Sequence, residues 1–294
     1  MRRWRHRTHL AGLVAALAAA CGPAARRPDG PVTVVDAAGR TVSLAAPAQR
    51  VVSLLPSFTE LLFAIGAGER LVGRTAWCDY PPAVRAVPNM GDGIPPNVEL
   101  VASRRPDLVV LYHSGPNVAA ARQLEQLGIA AVLVDLNLLE DLGSAARVLG
   151  RLTGRPGAGD SLAASLDSVA RAPLPAPITS LAFVVWDNPP IVIGAGSYLD
   201  RLAALAGARN VFHDLAAPSA QVSLEAIAQR DPHFVAVLDD PAGEPAFAGR
   251  PEWRAVRAVR ERRFLKLAGG LFGRPGPRAA EAVRRLRSLI EAAL

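Results

Sequence analysis

The stretch Asn97-Val-Glu-Leu-Val-Ala-Ser-Arg-Arg-Pro-Asp-Leu-Val-Val-Leu111 occurs a second time as Ser223-Leu-Glu-Ala-Ile-Ala-Gln-Arg-Asp-Pro-His-Phe-Val-Ala-Val237, and the two align without a gap. Each copy starts at a residue that favours the N-cap position, continues as a short amphipathic helix, passes an Arg and a Pro, and ends in an apolar strand. A carboxylate stands two residues after each cap, at Glu99 and Glu225. The repeat therefore predicts two similar α/β lobes with one matched acid each, an arrangement suited to docking onto a two-fold partner.

Around each copy, apolar strands alternate with helices at short loop lengths, which indicates parallel sheets. We expect an N-terminal lobe at residues 32–138 that opens with a β-hairpin, and a C-terminal lobe at residues 177–294. Residues 139–176 show no strand pattern and predict a helical connector, interrupted by the Gly-rich segment 154–159. Two helix starts are predicted in the first lobe: Ser57, in a capping box with Glu60, and Asn117.

The first 21 residues have the architecture of an export signal. Residues 1–9 are basic, and Leu10–Ala20 is an apolar run too short to span a bilayer. Leu17-Ala-Ala-Ala-Cys21 resembles a bacterial lipobox, which implies that Cys21 is lipidated and anchors the chain to the membrane, with residues 22–31 as a tether. The alternative is ordinary cleavage that leaves a soluble protein. Both readings predict a location in the cell envelope, outside the cytoplasm.

The composition argues against several classes of function. The formal charge of +7 includes the arginines of the signal segment, and the remaining arginines are scattered singly, so we expect no nucleic-acid partner. The sequence has no glycine-rich phosphate loop, nucleophile elbow or clustered His/Asp/Glu set, so we expect no enzyme and no cofactor or metal held by the protein itself. We also expect a monomer. If Cys21 is lipidated, Cys78 has no partner and the fold has no disulfide.

Ligands of open parallel sheets bind outside the carboxyl ends of the strands. Aromatic residues make up only 5% of the chain, yet several stand just past predicted strand ends. A cleft walled by aromatic faces suits a large, flat, partly apolar ligand. The residues that we expect to line it are Phe58, Trp77, Tyr112, Trp186, Phe272 and Arg274. His113 could ligate a metal within such a ligand or be a solvated loop residue.

Four segments together resemble the helical-backbone substrate-binding proteins of ABC importers: Arg50-Val-Val-Ser-Leu-Leu-Pro-Ser-Phe-Thr-Glu-Leu-Leu-Phe-Ala-Ile-Gly-Ala-Gly68, Leu71-Val-Gly73, Cys78-Asp-Tyr-Pro-Pro82 and Arg105-Pro-Asp-Leu-Val109. The resemblance runs from about residue 31 to the C-terminus and is nearest to the members that bind cobalamin. It implies an α/β fold with two Rossmann-like lobes joined by a single long α-helix, which the helical stretch ending near Arg171 would supply. It also implies a carrier without catalysis.

The resemblance further implies roles for single residues. Trp77 and Tyr112 would stack on or line a corrinoid, Arg274 would contact its polar groups, and Glu99 and Glu225 would dock onto arginines of a permease dimer that works with its ATPase. Either glutamate alone could instead compensate a helix dipole.

Other ligands remain alternatives. Gly270 stands where the cobalamin-binding members have an acid, and Asn89-Met-Gly-Asp-Gly93 lacks a tryptophan expected near there. Receptors for haem and for iron siderophores share the fold, so the ligand could be one of these, and a metal-dependent extracytoplasmic hydrolase could use the same cleft.

Overall fold

The computed structural model describes residues 30–238 and 243–294. The predicted export signal, the lipidation site Cys21 and all but the last two residues of the predicted tether lie outside the described residues. The described chain opens with the expected β-hairpin, in which β1 (Val32–Val35) pairs antiparallel with β2 (Thr41–Leu44). Within the described residues, no helix is both long enough and apolar enough to cross a membrane.

The sheet of the N-terminal lobe has four strands in the order β4-β3-β5-β6, all parallel. Its strands are short apolar runs because both faces of the sheet are covered by other elements. The elements are β3 (Val51–Ser53), α1 (Pro56–Ala64), β4 (Leu71–Arg74), α2 (Val98–Ser103), β5 (Leu108–Tyr112), α3 (Gly115–Gln126) and β6 (Ala130–Val134).

Two helices form the connector region. The first, α4 (Asp141–Leu152), packs on α1 and the hairpin of the N-terminal lobe, and the second, α5 (Pro156–Ala170), leads into the C-terminal lobe. One helix, α5, therefore joins the lobes. Gly159 lies inside α5 rather than breaking it, because α4 and α5 cross closely at this point: a Cβ on Gly159 would lie 2.7 Å from the carbonyl oxygen of Ala146.

The sheet of the C-terminal lobe has six strands, in the order β10-β8-β7-β11-β12 with β9 also paired to β7. Strands β9, β11 and β12 run parallel to their neighbours, whereas β8 is antiparallel to both β7 and β10. The elements are β7 (Thr179–Asp187), β8 (Pro190–Ile193), α6 (Tyr198–Leu205), β9 (Ala208–Asn210), β10 (Ser219–Gln221), α7 (Leu224–Arg230), β11 (Phe234–Leu238), α8 (Arg257–Arg260), β12 (Phe264–Leu267), α9 (Gly269–Phe272) and α10 (Ala279–Ala293).

Three helices begin earlier than the sequence predicts, each with a proline in its first turn. Helix α1 begins at Pro56 with Leu55 as its N-cap, so the predicted capping box of Ser57 does not form. Helix α3 begins at Gly115, and the predicted cap Asn117 instead donates from Nδ2 to the carbonyl oxygen of Tyr112 at 2.7 Å. Helix α5 begins at Pro156. Proline is favoured there because first-turn N–H groups have no partner inside the helix.

A single hydrophobic core runs through both lobes. Its buried members include Leu61 of α1, Leu149 of α4, Leu166 of α5, Leu202 of α6 and Leu286 of α10. Smaller cores cover the other face of each sheet. Because separating the lobes would expose the shared core to water, they should move only modestly relative to each other.

Candidate functional site

Two tryptophans stand exposed at the carboxyl edges of the sheets, one on each lobe. Trp77 lies in the loop after β4 and is 61% exposed, and Trp186 is the penultimate residue of β7 and is 59% exposed. The indole of Trp186 donates from Nε1 to the carbonyl oxygen of Asn188 at 2.8 Å, which limits its rotation. Both rings have faces that a flat apolar ligand could cover.

Tyr112 is anchored at the last position of β5. Its ring packs against the shared core, and its hydroxyl donates to Oδ1 of Asn137 at 2.6 Å. The side chain is therefore held at the carboxyl edge of the N-terminal sheet, where it can line a ligand with the part of its surface that remains exposed.

Phe58 and Phe272 do not line the cleft as the sequence predicts. Both side chains are fully buried in the shared core, Phe58 within α1 and Phe272 at the end of α9. A ligand could reach either ring only by unpacking that core, so neither residue belongs to the candidate site. They stand near strand ends, but the helices that follow turn their rings inward.

Arg274 lies after α9 and pairs with Asp79 of the other lobe. The guanidinium donates to both carboxylate oxygens of Asp79, the Nη2–Oδ2 distance being 3.3 Å. Hydrogen bonding from Arg274 is the main cause that holds the pKa of Asp79 below its ordinary value. A carboxylate with a lowered pKa stays charged at neutral pH, so this pair is lost only when the pH falls through that lowered pKa.

A second ion pair crosses between the lobes nearby. Arg278, at the start of α10, donates to both oxygens of Glu60 at 2.8 and 2.7 Å and to the carbonyl oxygen of Gly270 at 2.6 Å. Its guanidinium also lies 4.0 Å from the centre of the Tyr80 ring, a cation–π contact. No sequence pattern relates Glu60 to Arg278, and the one local signal for the pair is an acid inside a helix that has no other charged residue.

His113 directly follows β5 and faces a carboxylate. Its Nδ1 lies 3.0 Å from Oδ1 of Asp135, which follows β6. A carboxylate on one ring nitrogen fixes the tautomer and leaves Nε2 with a lone pair. Among the described residues, no group of three or more His, Cys, Asp or Glu side chains is placed to hold a metal ion.

The two repeated glutamates are both exposed. The predicted caps of their helices are confirmed: Asn97 accepts from the backbone N–H of Leu100 at 2.9 Å, and Ser223 from that of Ala226 at 3.2 Å. Backbone hydrogen bonding at its own helix start, and then the Ser223 hydroxyl, lower the pKa of Glu225. Because α2 and α7 lead into the parallel strands β5 and β11, the helix starts lie toward the carboxyl edges of the two sheets.

The open pocket beside Trp186 is too small for a macrocycle. A cavity of about 150 Å³ lies between the ends of β7 and β11 and is lined by Val184, Trp186, Val237 and Phe247 among others. Pockets for drug-sized ligands are typically about 300–1,000 Å³. A large ring therefore does not fit inside this pocket, which could accept at most a side group of such a ligand.

A family model described as periplasmic binding protein matches residues 51–269. The chain is 29% identical over 298 residues to an uncharacterized ABC transporter substrate-binding lipoprotein, YvrC, of Bacillus subtilis, covering 95% of this chain and 94% of that protein. It is 28% identical over 262 residues to the vitamin B12-binding protein of Pectobacterium atrosepticum, covering 84% of this chain and 90% of that protein.

A solved structure shows the same two-lobe architecture. The periplasmic heme-binding protein RhuT from Roseiflexus sp. RS-1, in its apo form, superposes with a TM-score of 0.71 at 25% identity, covering 84% of this chain and 99% of that chain.

Proposed function

The chain belongs to the periplasmic binding protein family, and on that premise we propose that it is the extracytoplasmic substrate-binding component of an ABC importer and carries a corrinoid such as cobalamin. The observation that carries the proposal is the pair of exposed tryptophans, Trp77 and Trp186, one at the carboxyl edge of each lobe. The Bacillus relative's name supports the substrate-binding role, and the Pectobacterium relative's name supports the corrinoid ligand.

In this proposal the corrin ring binds to aromatic and arginine side chains at the carboxyl edges of the two sheets. The corrin ring stacks on Trp77, and Tyr112 and Trp186 line its edges, because aromatic faces gain most from covering a flat apolar ring. Arg274 contacts the polar groups at the rim of the ring. No bond in the ligand is made or broken, and the shared core restricts closure to a modest hinge motion.

Delivery uses the matched acids. Glu99 and Glu225 are exposed in the first turns of equivalent helices, so they offer one carboxylate per lobe to arginines of a two-fold permease, which its ATPase drives. A lipid on Cys21 would keep the receptor beside the membrane.

Haem is the second candidate ligand, and His113 is the observation that favours it. With Nδ1 held by Asp135, Nε2 is the nitrogen that could ligate the iron of a haem between the lobes. The haem-binding relative from Roseiflexus supports the same alternative.

Titration of the purified mature protein separates these ligands. We expect cyanocobalamin to bind saturably by calorimetry, and Trp77→Ala to weaken binding by about tenfold or more because a stacked face is lost. Leu127→Ala, which also trims an exposed apolar side chain but on the far end of α3, is the matched control and should bind normally. Saturable binding of haemin without cyanocobalamin would replace the corrinoid with haem, and binding of neither would contradict the proposal.

A further inference from the structure

The two ion pairs between the lobes differ in burial. Glu60 and Arg278 are 2% and 20% exposed, whereas Asp79 and Arg274 are 54% and 17% exposed. Arg278 has several acceptors, including both oxygens of Glu60 and a backbone carbonyl. In the described part of the chain, the hydrogen bonds of the Arg274 guanidinium go to Asp79 alone.

This difference decides which pair can open. Separating Glu60 from Arg278 would leave a buried carboxylate without its partner, which is strongly unfavourable. The Asp79 carboxylate faces solvent, so water solvates it when it leaves Arg274, and little free energy is lost. Arg274 is more buried than Asp79 and would not be solvated as well, so it needs another acceptor when Asp79 departs.

The exchangeable pair includes a residue of the loop that carries the exposed indole. Asp79 follows Trp77 by two residues, and Arg274 follows α9 beyond the carboxyl end of β12. The pair therefore joins the two lobes at the side where Trp77 stands. A ring stacked on Trp77 that extends toward the C-terminal lobe brings its side groups to Arg274.

We propose that Asp79 is a specificity-determining residue that occupies Arg274 in the empty receptor and yields it only to a ligand that carries its own acidic group. The inference rests on the function proposed above. A carboxylate or phosphate can replace Asp79 on the guanidinium, because charge-assisted hydrogen bonds of the same kind are exchanged. An uncharged amide or ester cannot, since its hydrogen bonds to Arg274 are weaker than those of Asp79. The cargo is thus a ring that carries at least one acidic group, which in cobalamin is the phosphodiester of the nucleotide tail and in haem is a propionate.

The experiment compares an acidic form and an uncharged form of the ring that the unmodified protein binds: cyanocobalamin against dicyanocobinamide, which lacks the phosphate-bearing nucleotide tail, or haemin against its dimethyl ester. Asp79→Asn keeps the shape of the side chain and removes the competing charge. We expect it to tighten binding of the acidic form about threefold to fivefold and to leave the affinity for the uncharged form within about twofold. In the Arg274→Gln background, Asp79→Asn should lose this effect.

Asp214→Asn is the matched control, because Asp214 is an exposed acid paired with an arginine, Arg230 at the C-terminal end of α7. It changes the net charge equally and should leave both affinities unchanged. Equal tightening of the acidic and uncharged forms, no change, or weaker binding of the acidic form in Asp79→Asn would overturn the inference while the receptor function stands. If the unmodified protein binds neither ring, both the proposed function and this inference fall.

Discussion

Two explanations for Glu99 and Glu225 predict different effects when these acidic side chains are removed. An acid in the first turn of a helix interacts favourably with the helix dipole, and that explanation predicts a small loss of stability on removal. Docking predicts a loss of transport instead. The equivalent positions of the two acids in a repeated helix, both exposed, favour docking, since the dipole requires no matching between lobes.

Reversing both charges tests docking directly. We expect Glu99→Arg with Glu225→Arg to abolish uptake of the ligand in cells, because two attractive contacts to the permease become repulsive. Ligand affinity of the purified variant should stay within about twofold of the unmodified protein, because neither side chain belongs to the cleft.

The control for this variant is Asp160→Arg with Glu281→Arg, which reverses two exposed acids, one on α5 and one in the first turn of α10. Uptake should continue in the control. If affinity falls with uptake in the Glu99 and Glu225 variant, the glutamates serve the pocket or the fold rather than the permease.

At the scale of single elements, the close approach of α4 and α5 depends on glycine residues that have no Cβ atom. Gly150 and Gly159 face each other so closely that a Cβ on Gly159 would lie 3.0 Å from the Cα of Gly150. A helix interior normally disfavours glycine because its unfolded backbone is more free. In this pair the cost is offset by the close approach of α5, the one helix that joins the lobes.

Gly159→Ala should therefore destabilise the protein by about 1–3 kcal/mol through overpacking. Gly157→Ala is the matched control in the same helix, because a Cβ there meets no atom within 4 Å. The control should be neutral or slightly stabilising, since alanine is the better helix former. Urea unfolding of the unmodified protein and of the two variants measures the change in unfolding free energy for each substitution. Equal stability of the two variants would show that α4 and α5 do not approach as closely as described.

At the scale of the whole molecule, the lobes behave as one packed body. They share a core that includes both helices of the connector region as well as α1, α6 and α10, and the buried Glu60–Arg278 pair joins them at a second place. Two-lobed receptors with a thin linker can close widely, whereas a shared core and a buried ion pair limit the motion.

Unfolding should consequently be a single cooperative transition, and Glu60→Gln should lower its free energy by about 2–3 kcal/mol, because Arg278 loses a charged partner in a mostly buried place. Asp79→Asn, which breaks the exposed pair, should cost about 0–1 kcal/mol. Denaturant unfolding followed by circular dichroism and by tryptophan fluorescence measures both. Two separate transitions in the unmodified protein would contradict the shared core.

Local patterns predicted much of the fold and part of the site. The repeat correctly indicated two α/β lobes, the caps Asn97 and Ser223, and two exposed glutamates. Predicted helix starts at Ser57 and Asn117 were wrong, because a first-turn proline set the start in each case. Signals of this kind act over a few neighbouring residues, which is why they can be recognised in a single chain.

Only the tertiary structure decided which side chains meet between the lobes. Glu60 lies 218 positions from Arg278, and Asp79 lies 195 from Arg274, so no periodicity or spacing relates them. The same holds for Phe58 and Phe272. Their positions near strand ends predicted that they line the cleft, but packing buries both side chains in the core. Secondary structure follows from short-range backbone and side-chain preferences, whereas inter-lobe contacts follow from burying a shared apolar surface, a sum of many weak terms over the whole chain.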